Sequence, residues 1–174
     1  MQREIEVKVL DIVPAEIEEK LKELGAEKIS KEKQTNYTFI PDDGEFKNGY
    51  LRIRESFIDD KKQPIELTFK EVKTDEEVRI NNEFTVHIDS VSIMTSILEK
   101  MGINLKYKGN KERISYIYKG QRFDIDIWDE DTYPYPYMEI EFTNQTKIDE
   151  ILKDLDIDKG QVTTKSISDL INEL

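Results

Sequence analysis

The feature that most restricts this chain is a two-residue period, charged on one side and β-branched or aromatic on the other, that recurs along most of its length. Residues 3–9 read Arg-Glu-Ile-Glu-Val-Lys-Val. An extended backbone there puts Ile5, Val7 and Val9 on one face and Glu4, Glu6 and Lys8 on the other. The same alternation predicts strands near 34–40, 50–57, 64–72, 77–88, 105–119, 121–129 and 137–143. Over 77–88 the apolar face is Val78, Ile80, Phe84, Val86 and Ile88. Helical spacing replaces it at 14–25, opened by Pro14 and stopped by Gly25, and at 90–101, stopped by Gly102. Two short helices are predicted near 145–155 and 165–174. The class is therefore α+β, with about eight mostly antiparallel strands that form either a sandwich with one wet face or a closed barrel. No repeat or compositional break divides the chain, so one domain over 1–174 is expected.

The informative face is the polar one. Strand by strand it carries eight acids (Glu4, Glu6, Glu66, Glu83, Asp124, Asp126, Glu139, Glu141) and eight bases (Lys8, Arg52, Arg54, Lys70, Arg79, Lys111, Arg113, Arg122). The whole chain has a net charge of −12, so this balance is local. Of six arginines against twenty lysines, five arginines fall on this face. Arginine grips phosphate oxygens in fixed bidentate geometry, whereas a solvated surface is served by Lys and Glu. A sheet with one face in water would show the same alternation, with opposite charges paired across strands. Against that reading, Glu4/Glu6 and Glu139/Glu141 set like charges two residues apart, which costs energy unless a cation lies between them. Acid pairs beside basic pairs on one concave face describe a site for a hard divalent ion and a polyphosphate.

The same composition narrows the alternatives. Cysteine is absent, which removes disulfides, thiolate metal sites and thiol nucleophiles. His87 is the only histidine, so His-based metal sites and a Ser-His-Asp triad are disfavoured. A net charge of −12 argues against nucleic acid as a partner. No apolar segment approaches a membrane span and no signal peptide is evident, so a cytoplasmic protein is expected.

Glu4-Ile5-Glu6-Val7-Lys8 resembles the ExExK signature of the CYTH superfamily, the triphosphate tunnel metalloenzymes. Later blocks follow in family order. Gln34-Thr35-Asn36-Tyr37 resembles its Q-x-D-x-Y-like segment, with Asn36 for the usual acid, and Leu51-Arg52-Ile53-Arg54 its LRIR strand. Leu67 to Lys70, Arg79 to Glu83, Lys111 to Tyr116, Phe123 to Ile127 and Met138 to Glu141 resemble the remaining strands. The resemblance implies a closed eight-stranded antiparallel barrel, a triphosphate tunnel with peripheral helices. It implies Glu4, Glu6, Glu83, Asp126, Glu139 and Glu141 as ligands of Mg²⁺ or Mn²⁺. Lys8, Arg52, Arg54, Lys70, Arg79, Lys111 and Arg113 would grip the triphosphate, with Lys165 at the tunnel mouth, and Glu6, Glu141 and Lys8 are the candidate catalytic groups.

Three departures from the family pattern bear on substrate. Asn81 stands where the mid-chain pair often has its first Glu, Glu71-Val72-Lys73 replaces a frequent Gly-Pro, and Ile167 replaces a frequent Tyr. Only three residues precede Glu4, leaving no room for the His-Phe motif that family cyclases often carry there. The expectation is a metal-dependent phosphohydrolase acting on inorganic triphosphate, thiamine triphosphate or a nucleotide. The alternatives are a class IV adenylyl cyclase and a non-catalytic polyphosphate-binding module. The partner is a small triphosphate, with no nucleic acid and no membrane, and the chain is a monomer or homodimer. Trp128, Tyr133, Tyr135 and Tyr137 are expected to pack at the barrel rim, and His87 to be incidental.

Overall fold

The computed structural model describes residues 2–44, 46–74, 77–143 and 148–174. The strands are β1 (Gln2–Val9), β2 (Glu27–Pro41), β3 (Gly49–Ile58), β4 (Lys61–Lys62), β5 (Ile65–Thr74), β6 (Arg79–Ile88), β7 (Ile103–Tyr118), β8 (Gln121–Trp128), β9 (Tyr137–Glu141) and β10 (Val162–Thr163). The α-helices are α1 (Pro14–Glu23), α2 (Val91–Lys100), α3 (Ile148–Asp154) and α4 (Ile167–Asn172). Eight strands follow the order β1-β6-β5-β3-β2-β7-β8-β9, and β9 pairs back with β1, so the sheet closes into an antiparallel barrel. The two-residue strands β4 and β10 attach to β3 and β1. Closure decides between sandwich and barrel, and it gives each of the eight strands a partner on both sides.

Because the inner wall is charged, the apolar core lies outside the barrel, between its outer face and the helices. Val7, Val9, Tyr116, Phe123, Ile125, Met138 and Ile140 from β1, β7, β8 and β9 pack with Ile17 and Leu21 of α1 and Ile151 and Leu152 of α3. On the other side Leu98 of α2 packs on Phe39, Leu51, Ile53 and Ile65. A third cluster joins Leu170 of α4 to Trp128, Tyr133 and Tyr137. Helix starts are marked as their residues require: Pro14 opens α1, and the Ser90 hydroxyl accepts from the Ile93 amide at α2. Ser166 and Asp169 form a reciprocal capping box at α4.

The sequence-predicted elements are present, with instructive shifts. β2 begins at Glu27, seven residues before the predicted start, although Glu27–Lys33 is largely polar and solvent-facing. Its backbone is templated by the 16-residue β7, with Glu27 opposite Ile117 and a bulge between Lys28 and Ser30. The third predicted helix starts at Ile148 among the described residues; its residues 145–147 lie outside them. On β6 the outward apolar face is only partly covered, with Phe84 47% and Val86 58% exposed.

Ile140 sits at the centre of the first cluster, fully buried between Val7 on β1 and Phe123 on β8. Ile140→Ala is expected to cost about 2–5 kcal/mol through lost burial and the cavity left behind. Urea unfolding of the purified variant measures it.

Candidate functional site

With the apolar parity turned outward, the other parity has to face inward. It encloses a cavity of about 390 Å³, to which every barrel strand contributes. β1 supplies Glu4 and Glu6, β2 Asn36 and Thr38, β3 Tyr50, Arg52 and Arg54, and β5 Glu66 and Lys70. β6 supplies Glu83 and Thr85, β7 Tyr107, Lys111 and Arg113, β8 Arg122, Asp124 and Trp128, and β9 Tyr137, Glu139 and Glu141.

Most of these charges are already matched. The Lys70 ammonium lies 2.7 Å from Glu4, 3.1 Å from Glu83 and 3.3 Å from Glu6. Lys8 reaches Glu139 at 3.1 Å and Glu6 at 3.9 Å. The Arg113 guanidinium spans Asp124, Asp126 and Glu139 at 2.6–2.8 Å, and Lys111 meets Asp126 at 2.5 Å. These partners set the ionisation of the acids. Burial alone would raise Glu6, but Lys70 and Lys8 outweigh it and hold the carboxylate below its ordinary range. Glu139 is held well below that range against its own burial, by Lys8, Arg113 and Lys111. Burial, with Arg113 nearby, pulls Lys111 down to about 7 despite its contact with Asp126.

Two places in the wall are left unbalanced. On β3, neither Arg52 nor Arg54 makes an ion pair with any described residue. The Arg54 Nε donates to the neutral Oδ1 of Asn36 at 3.1 Å, and the Arg52 Nε is buried without a partner. Burial and the neighbouring Arg52 and Arg113 lower Arg54 to about 10, so it stays cationic at neutral pH. Elsewhere in the wall Glu141 has no ion pair among the described residues. Burial and the nearby Glu4 carboxylate raise it to about 7, against the opposing effect of Arg122. Glu4 is raised as well, mainly by burial. The cavity wall thus carries two arginines and a glutamate that feel opposite charges nearby, Glu66 and Arg122 respectively, but make no ion pair among the described residues.

The structure sorts the sequence-predicted residues into three groups. Glu4, Glu6, Arg52, Arg54, Lys70, Glu83, Lys111, Arg113, Glu139 and Glu141 line the cavity together. Lys8 and Asp126 lie behind this lining, buried and bound to its carboxylates and cations. Arg79 and Lys165 are outside the lining, although Arg79 lies 3.9 Å from the Glu6 carboxylate. Arg79 is buried beside a second cavity of about 240 Å³, donating to Asn81 and to the Thr164 carbonyl. Lys165 pairs with Glu173 at 2.7 Å and is half exposed. Asn81 is fully buried and donates to Glu6 at 3.1 Å, so it braces a carboxylate in place of adding one. Asn36, Thr38, Tyr50 and Tyr107 also face inward. Their signal was parity: 36 and 38 alternate along β2, Tyr50 is in phase with Arg52, and Tyr107 with Lys111 and Arg113. Trp128 and Tyr137 are inward too; the indole N–H donates to the Tyr137 hydroxyl at 3.0 Å, and Lys111 lies over the indole ring.

A model of the CYTH domain matches residues 2–167. Among solved structures, the PH1819 protein of Pyrococcus horikoshii OT3 is 25% identical, with a TM-score of 0.80 and 98% of each chain covered. The Hippeastrum protein HpAC1, described as having a dominant triphosphatase activity, is 20% identical with a TM-score of 0.70, covering 98% of this chain and 95% of that one. The RNA triphosphatase Pct1 of Schizosaccharomyces pombe is 14% identical with a TM-score of 0.51, covering 99% and 81%. No curated protein matches this chain.

These relationships raise the question of a metal ion. Among the described residues no three acids are gathered into a preformed ligand set. The donor chemistry nonetheless fits a hard divalent cation. Glu4, Glu6 and Glu83 already converge on one positive charge, the Lys70 ammonium, and Glu141 makes no ion pair among the described residues. The folded pKa of Glu141, about 7, lies above its ordinary 4.5, so the folded state holds an extra proton between these values. The stability this group contributes is complete below about pH 4.5 and is lost as pH rises through 7. Glu141→Gln is therefore expected to raise Tm at pH 8 and to change it little at pH 4.5. Mg²⁺ or Mn²⁺ should raise the Tm of the wild type at pH 8 and do less for the variant. Thermal unfolding across pH, with and without the ion, checks both.

Proposed function

The chain belongs to the CYTH family, and we propose that it is a divalent-metal-dependent phosphohydrolase acting on inorganic triphosphate or a small organic triphosphate. The observation that carries this reading is the Arg52/Arg54 pair, two guanidinium groups on the cavity wall with no carboxylate partner among the described residues. Leaving partly buried cations unpaired is costly, and a bound anion removes that cost. Arginine's planar fork suits phosphoryl oxygens, and Arg113, Lys111 and Lys70 stand around the same cavity. The dominant triphosphatase activity described for HpAC1 supports the same class.

Each residue has a part in this reading. Arg52 and Arg54 hold and orient the phosphoryl chain and stabilise charge that builds on it as the bond breaks. Lys70 and Arg113 hold the acidic wall ionised and aligned, and Lys8 and Asp126 fix these in turn from behind. A divalent ion bound by Glu4, Glu6 and Glu141 would supply Lewis-acid polarisation of the phosphoryl oxygens. Glu6 is tied to Lys70, Lys8 and Asn81. Glu141 has no such ties among the described residues, which leaves its carboxylate open to the ion.

Incubation with tripolyphosphate, thiamine triphosphate or ATP plus Mg²⁺ or Mn²⁺, followed by product separation, tests the proposal. Orthophosphate is the expected product. Cyclic AMP with pyrophosphate from ATP would make the protein a cyclase, and calorimetric binding without turnover would make it a binding module. Arg54→Ala is expected to lower kcat/KM by roughly 10²–10³-fold, the usual loss when a preorganised donor to a developing oxyanion is removed.

A further inference from the structure

We infer that Tyr137 is a further substrate-binding residue: its hydroxyl, aimed by Trp128, donates to a phosphoryl oxygen at the end of the cavity against which α4 packs. The inference rests on the reading of the cavity as a triphosphate site and adds to it a neutral donor at one end.

Tyr137 is 1% exposed and opens β9 in phase with Glu139 and Glu141; it and Trp128 both line the cavity. Its ring belongs to a buried cluster with Trp128, Tyr133 and Leu170 of α4, edge-on to Tyr133 with centroids 6.1 Å apart. These contacts fix the ring, and with it the place of the hydroxyl oxygen. That oxygen accepts the Trp128 indole N–H at 3.0 Å. An indole nitrogen can only donate, so this bond leaves the hydroxyl hydrogen unused. Among the described residues nothing accepts that hydrogen. The nearby carboxylates are Asp126, directly across on β8, and Glu139. Both are engaged elsewhere, Asp126 by Lys111 and Arg113, Glu139 by Lys8 and Arg113. Burial and these two carboxylates hold the hydroxyl well above its ordinary range, against Arg113 and the indole bond, so it keeps its hydrogen. Lys111 lies 5.2 Å from the indole centroid and Lys8 5.9 Å from that of Tyr137. A buried O–H without an acceptor is costly, and a ligand oxygen in the cavity removes the cost. Phosphoryl oxygens accept without donating, and Lys8, Lys111 and Arg113 supply positive charge beside the same rings.

The test compares wild type, Tyr137→Phe and Trp128→Phe by calorimetric titration with tripolyphosphate and by thermal unfolding. The emission of Trp128, the only tryptophan, is followed in wild type. Tyr137→Phe is expected to weaken tripolyphosphate binding about tenfold, the order of one hydrogen bond to a charged acceptor. Trp128→Phe keeps the hydroxyl and loses only its aim, so it should bind more tightly than Tyr137→Phe. Both variants break the indole–hydroxyl bond, and both should lower Tm. In turnover assays Tyr137→Phe should raise KM more than it lowers kcat. In wild type, tripolyphosphate should shift the Trp128 emission with the midpoint found by calorimetry, because the ligand engages the hydroxyl to which the indole is bound. A pair that served the fold alone would give two variants that lose Tm and keep affinity. Wild-type affinity in Tyr137→Phe, or a loss in Trp128→Phe as large as in Tyr137→Phe, overturns the inference. Unchanged emission at saturation overturns it too, whether or not Tyr137→Phe folds. Wild type that does not bind tripolyphosphate at all overturns the underlying reading of the cavity.

Discussion

Everything in this molecule depends on the antiparallel pairing of β1 with β9, which places Glu6 opposite Glu141 and Lys8 opposite Glu139. That pairing closes the sheet, and a closed sheet with a charged inside has no core of its own. Most apolar burial has to be found on the outside, under α1, α2 and α3, while α4 packs on the inward-facing Trp128 and Tyr137. The division of labour follows. Helices and outer face supply the hydrophobic stabilisation, and the inner wall is released from that duty to carry charge.

A wall of charge inside a barrel is stable only if its members neutralise one another, and the strand register is what lets them. Arg113 stands opposite Asp126, which brings it to the three carboxylates it holds. Lys70 stands opposite Glu83, and β6 pairs on its other side with β1, so one ammonium serves three strands. These networks make the inner wall rigid, because removing one partner strands several others. Rigidity of this kind is useful to a binding site: the groups left unpaired are held in place by neighbours that are fully engaged.

Much of this was legible from parity. Alternation in β1, β3, β5, β7, β8 and β9 assigned the inward charges, and the order of the motif blocks implied the closed barrel over the open sandwich. Parity could not say how deep a residue sits. Lys8 and Asp126 share the inward parity but are buried, bound to Glu139 and to Lys111 and Arg113, so they support the lining from behind. Arg79 lies at the end of β6, where the chain before α4 passes, and its guanidinium is drawn to the Thr164 carbonyl. Lys165 precedes the Ser166 cap of α4, and its reach to Glu173 is set by that helix's turn, which no local pattern encodes. β2 was under-read for a different reason. Its cavity-lining residues, Asn36 and Thr38, are neutral, and a search for charge passes over them.

The identity of the unpaired cations follows from the same physics. The lysines among the predicted grip residues, Lys8, Lys70 and Lys111, all contact carboxylates, and the two cations without one are arginines. An ammonium desolvated without a partner loses its proton readily; Lys111 is drawn down to about 7 even beside Asp126. A guanidinium starts high enough to survive the same treatment, and Arg54 stays charged after falling to about 10. Only arginine can wait in such a wall, uncompensated and still cationic, for an anion to arrive. The concentration of arginine on the inward face, in a chain with more than three lysines for each arginine, is therefore a consequence of leaving that part of the wall unpaired.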